Sequence, residues 1–211
     1  TGKTTVLKVI LYIHDQICRT KVQLMAPTGR AARRMAESTG YEEASTIHMA
    51  LGLLGESSNF QPDWDYLSAD FLNLDEVSMV DMHLGYEFFR RVKPEARILL
   101  VGDVDQLPSV GAGDVFRQLI SCGLIPVTRL EAVFRQGASS SIYLNAKKMQ
   151  ENRTDFQFGE DFYFISCATV EETAETVRHL YQREIGRYGL DGVQILTPYK
   201  NKTVNGSKAL N

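Results

Sequence analysis

A glycine, a lysine and a hydroxyl follow one another at Gly2-Lys3-Thr4, with Thr5 directly behind. That succession suits phosphate. Backbone N–H groups of a glycine turn and a helix start donate to phosphate oxygens, a lysine reaches the terminal phosphates, and a hydroxyl faces a divalent ion. Lys3 is thus a candidate for the β- and γ-phosphates of a nucleotide, and Thr4 for Mg2+. The full pattern of such a loop is G-x-x-x-x-G-K-[ST], and only its second half stands here. Its first glycine and the strand delivering it are expected upstream of residue 1. Taken alone, the tripeptide is also compatible with chance.

Two further groups shift that balance. Asp75-Glu76 follows the apolar run that ends Leu72-Asn73-Leu74. An acidic pair at the end of a buried strand can hold Mg2+ through Asp75 and polarise an attacking water through Glu76. The plainer alternative is a pair of carboxylates capping nearby donors. Gly102-Asp103-Val104-Asp105-Gln106 follows a third strand-like run, and a glutamine at that edge can bond a γ-phosphate or the water and report nucleotide state.

The elements that must position these groups read as alternating strands and helices. Val6, Val9, Ile10, Ile13 and Ile17 recur at helical spacing, which predicts a helix to about Thr20 with that face inward. Residues 22–26 read as a buried strand ending before Pro27. Thr28 is placed to cap a helix over 29–39, with Gly40 as its stop. Residues 46–54 read as a short helix and 55–68 as a polar loop. Strands are expected at 71–75, 97–102 and 125–130. Asp81 caps a helix to about Val92, and another helix runs from Gly113 to about Cys122. The alternation argues an α/β fold with a mostly parallel sheet covered by helices on both faces. A boundary is expected near Asn152, giving a first domain over 1–152 and a second over 153–211. The second reads as strand 162–166, helix 170–188 and strand 193–197.

Composition narrows the class. With 44% hydrophobic residues in 211, the chain can bury a core, and 23% charged residues is ordinary for a globular protein. A formal net charge of −3 carries no bulk signal for nucleic acid, so such binding would rest on local patches. The 3 cysteines are scattered and fit neither a disulfide framework nor a zinc site, which favours a reducing cytoplasm. No apolar run reaches the ~18 residues of a membrane span.

In order, the motifs resemble those of superfamily 1 helicases, most closely the RecD-type branch (exodeoxyribonuclease V alpha-subunit and TraA-like proteins). Residues 2–5 resemble motif I, and Ala26-Pro27-Thr28-Gly29-Arg30-Ala31-Ala32 resembles motif Ia. Ser45-Thr46-Ile47-His48 is similar to motif Ib, and Asp75-Glu76-Val77-Ser78-Met79-Val80-Asp81 to motif II. Gly102 to Val110, with Gln106-Leu107-Pro108, is similar to motif III, and Leu130-Glu131-Ala132-Val133-Phe134-Arg135-Gln136 to motif IV. Leu196-Thr197-Pro198 is similar to the opening of the family's second motor domain.

The resemblance implies a RecA-like P-loop NTPase fold with the start of a second RecA-like domain. It implies ATP and Mg2+ as cofactors and 5′→3′ movement on single-stranded DNA in recombination and repair, with helicase–nuclease subunits as possible partners. Gly2, Lys3, Thr4, Thr5, Asp75 and Asp103 would hold the nucleotide. Glu76, Gln106 and Arg135 would serve catalysis, with Arg135 meeting the γ-phosphate across a cleft. Pro27, Thr28, Arg30, Thr46 and His48 would touch DNA. Arg33 and Arg34 read better as a solvated helix face, and Trp64 as a loop anchor. The alternative from another class is a P-loop protein that binds nucleotide as a switch or scaffold without moving.

Overall fold

The computed structural model describes residues 2–53, 66–130, 140–200, 204 and 206–210. The chain divides into two compact units, Thr1–Ala138 and Ser139–Asn211.

The first unit is built on four parallel strands: β1 (Val22–Ala26), β2 (Ser45–Thr46), β3 (Phe71–Leu74) and β4 (Arg97–Leu100), in the order β2-β1-β3-β4. Leu24 pairs with Asn73, and Asn73 with Leu99. Because side chains alternate along a strand, each strand feeds two cores. Met25, Leu72 and Leu74 face Leu84 and Phe88 of α4 (Met82–Phe89) and Ile47 of α3 (Ile47–Ala50). Leu24, Ala26 and Phe71 face Leu7 and Leu11 of α1 (Lys3–Ile17) and Ala32 and Met35 of α2 (Gly29–Thr39). Helices therefore cover both faces, as expected of a parallel sheet.

The inward face of α1 differs from the sequence expectation. Leu7, Leu11 and His14 form its buried stripe, whereas Val9 is 51% and Ile17 74% exposed. Ile10 packs partly against the core. The apolar arc of this helix is wide, running from Val9 through Ile10 to Leu11, so periodicity does not say which part of it faces the sheet, and the helix ends at Ile17, ahead of Arg19 with φ 47°. β1 and α2 fall on the expected residues, whereas the helix expected over 46–54 spans only Ile47–Ala50 and is preceded by a short strand, Ser45–Thr46, that the pattern did not show. Thr28 caps α2 by accepting from the Ala31 N–H, and Gly40 closes it at φ 79°.

At the amino ends of the strands, Asp70 accepts from the Lys21 N–H at 3.1 Å and pairs with Lys93 Nζ at 2.5 Å. The Lys93 bond holds the Asp70 carboxyl below its ordinary range, with the Lys21 N–H adding to it.

After α5 (Val115–Ser121), residues 125–130 form no strand, which corrects the sequence expectation. Ile125, Val127 and Leu130 are exposed there, and Pro126 lacks a donor. The second unit carries α6 (Ser141–Gln150), α7 (Val170–Tyr188) and α8 (Ser207–Leu210). Its helix α7 runs over the expected residues. The expected strands at 162–166 and 193–197 are absent; Phe162 makes only a single antiparallel bridge to Gly159. An apolar run becomes a strand only with a neighbour to bond, and among the described residues neither run has one beyond that bridge. Asn145, fully buried, instead orders this unit by bonding the Gln157 N–H at 2.8 Å and its carbonyl at 2.6 Å.

Candidate functional site

The carboxyl ends of parallel strands lie at one edge of a sheet, the edge where open α/β folds bind ligands. β3 is buried along its whole length and delivers Asp75 there, anchored by the Asp75 N–H donating to the Met25 carbonyl at 2.9 Å. Val101 and Val77 extend the ladder, Val101 N–H to Leu74 O at 2.8 Å and Val77 N–H to Val101 O at 3.0 Å. Asp75 Oδ1 accepts from the Glu76 N–H at 2.9 Å. Glu76 itself takes φ 52° and ψ 41°, a left-handed conformation that costs a non-glycine residue ~1–2 kcal/mol.

That turn brings Glu76 to Lys3. Lys3 Nζ lies 3.9 Å from Glu76 Oε2, and both atoms are buried without a hydrogen-bond partner among the described residues. Lys3 begins α1, whose cap is Gly2 at φ 70°. The helix start carries no side-chain cap and no acidic residue in its first turn, so its amide dipoles are uncompensated. A left-handed glycine at a helix start and a lysine whose shielded Nζ has no hydrogen bond among the described residues together fit a polyphosphate. Thr4 and Thr5 are exposed on the first turn. Among the described residues no three His, Cys, Asp or Glu cluster as a metal cage.

β4 leads to the third group. Gln106 is exposed, and its side-chain N–H donates to Asp103 Oδ2 at 3.3 Å while its backbone N–H meets the Asp103 carbonyl at 3.2 Å. Asp103 Oδ1 also accepts from the Asp105 N–H. Asp103 is therefore the knot of this loop. Arg117 braces the same loop and was not singled out from sequence. It donates to the Val104 carbonyl at 2.8 Å and pairs with Asp114 at 2.9 Å. The i, i+3 spacing of Asp114 and Arg117 at a helix start was the one available sign.

The expected DNA-contacting residues gather at neighbouring strand ends. Ala26 is the register partner of Thr46, so β1 and β2 release their chains side by side. Pro27 is half-buried, and Thr28 caps α2. Thr46 caps α3 by accepting from the Met49 N–H at 3.1 Å, and His48 is half-buried on its first turn. Arg30 is exposed and makes no ion pair among the described residues. Arg135 and Trp64 lie outside the described residues.

The AAA domain family matches residues 1–170. The ATP-dependent RecD2 DNA helicase of Deinococcus radiodurans is 36% identical over 200 residues, 95% of this chain and 27% of that protein. The RecBCD enzyme subunit RecD of Haemophilus influenzae is 31% identical over 158 residues, 64% of this chain and 24% of that protein. The chain thus spans about a quarter of the length of these curated relatives. Among solved structures, one described as the structural basis for DNA unwinding at forked dsDNA by two coordinating Pif1 helicases aligns with TM-score 0.50 at 19% identity. It covers 89% of this chain and 47% of that one, a likeness of fold. Among the described residues no helix is long and apolar enough to cross a membrane.

Proposed function

The chain belongs to the AAA domain family, and from that premise we propose that it is the ATP-hydrolysing part of a RecD-type DNA helicase. The observation that carries this reading is the half-buried Lys3–Glu76 pair, whose Nζ and Oε2 atoms lie 3.9 Å apart, shielded from solvent and without a hydrogen bond among the described residues. Lys3 would exchange Glu76 for terminal phosphate oxygens, and the amides after Gly2 would hold the β-phosphate. Thr5, one residue further into the first turn, would line the same phosphates. Thr4 and Asp75 would hold Mg2+, which when bound neutralises charge on the phosphate oxygens. Glu76, released from Lys3, would orient the attacking water and accept its proton. Asp103 would hold Gln106 in reach of the γ-phosphate. Arg135 would offset charge developing on that phosphate, its planar fork matching the oxygens.

In the same reading, Pro27, Thr28, Arg30, Thr46 and His48 line a track for single-stranded DNA at the ends of β1 and β2. Phosphate contacts of this kind position a strand without reading its sequence. Movement 5′→3′, a cytoplasmic role in recombination and repair, and assembly with helicase–nuclease subunits follow from the RecD-type relatives as part of the proposal.

The test is ATP hydrolysis by the protein at its full natural length, with and without single-stranded DNA, beside the Lys3→Ala and Arg135→Lys variants. DNA-stimulated turnover, lost with ATP affinity in Lys3→Ala and reduced at retained affinity in Arg135→Lys, is the expected result. Nucleotide binding without DNA-stimulated turnover would replace this reading with a nucleotide-dependent switch or scaffold.

A further inference from the structure

Asp81 touches two segments of the site through separate atoms. Its Oδ1 accepts the Leu84 N–H at 2.8 Å and so caps α4. Its Oδ2 lies against Gly111, where a methyl group on the glycine would sit 2.0 Å from Oδ2 and 2.6 Å from Cγ. One residue further, the Met82 N–H donates to the Ala112 carbonyl at 2.9 Å. Gly113 takes φ 94°, and a methyl there would come within 3.1 Å of Met82 Cβ. Ser109 Oγ lies 3.0 Å from the Gly111 carbonyl oxygen and 2.9 Å from that of Gly113, closing the loop on itself.

Residues 109–113 are therefore seated on the first turn of α4. That helix follows directly on the 3-10 turn Val77–Met79 that leaves the acidic pair. The other half of the loop carries Asp103 and Gln106 and is tied to Arg117 through the Val104 carbonyl. Between the halves stands Leu107-Pro108, where the fixed proline φ leaves little slack.

We propose that Asp81 and Gly111 are positioning residues for ATP turnover: the capping carboxylate and the bare glycine backbone form a seat that sets Gln106 at a fixed place relative to Asp75 and Glu76. Any side chain at residue 111 must displace Asp81 from its cap or lift the loop. A lift moves Gln106, and a shift of ~1 Å in a positioned group can cost up to ~10²-fold in rate. Neither residue touches the reacting atoms, so the effect falls on kcat more than on nucleotide binding. The inference rests on the ATP-hydrolysing reading of the chain.

Gly111→Ala, Asp81→Ser and the double variant of the full-length protein test it. Serine still caps a helix and frees the space that the new methyl needs. Gly111→Ala is expected to lose ~10-fold or more in DNA-stimulated kcat with little change in KM for ATP, and the double variant to recover most of it. Wild-type kcat in Gly111→Ala, or equal loss in the double variant, would overturn the seat. Amide hydrogen exchange over residues 103–110 gives a readout that needs no activity. It should quicken in Gly111→Ala and slow again in the double variant, and unchanged exchange would also overturn the proposal. A wild-type protein that hydrolyses no ATP would defeat the functional reading alone, with the exchange result still deciding on the seat.

Discussion

Lys3 Nζ and Glu76 Oε2 stand 3.9 Å apart, close enough to attract and too far to share a hydrogen bond. One begins the first helix, and the other sits in a left-handed turn after a central strand. A half-buried pair that shares no hydrogen bond leaves both groups able to take another partner, which in the proposed reading is a phosphate oxygen for Lys3.

Glu76→Gln is expected to keep ATP affinity and lose ~10²–10⁴-fold in turnover, because an amide cannot accept the water's proton. Glu76→Gly should lose turnover as fully while melting no lower than Glu76→Gln, which also lacks the charge facing Lys3, since glycine accepts φ 52° freely. Single-turnover hydrolysis and a thermal melt on the same preparations check both. A marked fall in Tm from the glutamine to the glycine variant would count against strain at this turn.

Thr28 has two roles that substitution can separate. Thr28→Ala should cost ~1 kcal/mol through loss of the α2 cap. Thr28→Asp should keep the cap and stability but weaken single-strand binding through repulsion of phosphate. Denaturant melts and fluorescence anisotropy with a labelled oligonucleotide decide. Equal DNA affinity for Thr28→Asp and wild type would remove Thr28 from the track.

Arg30→Ala should weaken single-strand binding alike for all sequences and reduce the slope of log K against log salt by ~0.7. Titrations of several oligonucleotides at several salt concentrations measure this. An unchanged slope would place Arg30 away from phosphate.

Tyr41 donates to Asp15 Oδ1 at 2.5 Å, and its phenol is pushed up to about 12, first by burial and then by the hydrogen bond to Asp15 and that residue's negative charge. A raised phenol keeps its proton in the folded state after the unfolded chain has lost it. Its contribution is complete below the unfolded value of 10.0 and fades as pH climbs towards 12. Tm should therefore fall more steeply above pH 10 in wild type than in Tyr41→Phe, and parallel curves would contradict the linkage.

Much of this was legible because the signals are local. Thr28 and Gly40 mark both ends of α2, and Asp81 marks the start of α4, since a cap is a bond between residues a few positions apart. The face of α1 was not legible in detail, because Val6, Leu7, Val9, Ile10, Leu11 and Ile13 spread over an arc wider than the stripe the sheet covers, and the buried stripe runs along one edge of that arc through Leu7, Leu11 and His14. Nor could strand character at 125–130 be settled, because a ladder needs a partner that the run itself does not name. Arg117 and the Asp81–Gly111 contact were missed for a related reason. They depend on how the loop after β4 folds back, and a turn of that kind has no period to read.

The Asp70, Lys21 and Lys93 bonds lie at the amino ends of the strands, while Asp75, Gln106 and Thr28 follow the carboxyl ends. An all-parallel sheet thereby divides the labour of its two rims. For an engineer, this means the rim bearing Asp70 can be rebuilt for heat tolerance, by new ion pairs or stiffer turns, largely without trespass on the chemistry. Heat tolerance and the proposed chemistry would then be adjustable from opposite ends of the same four strands.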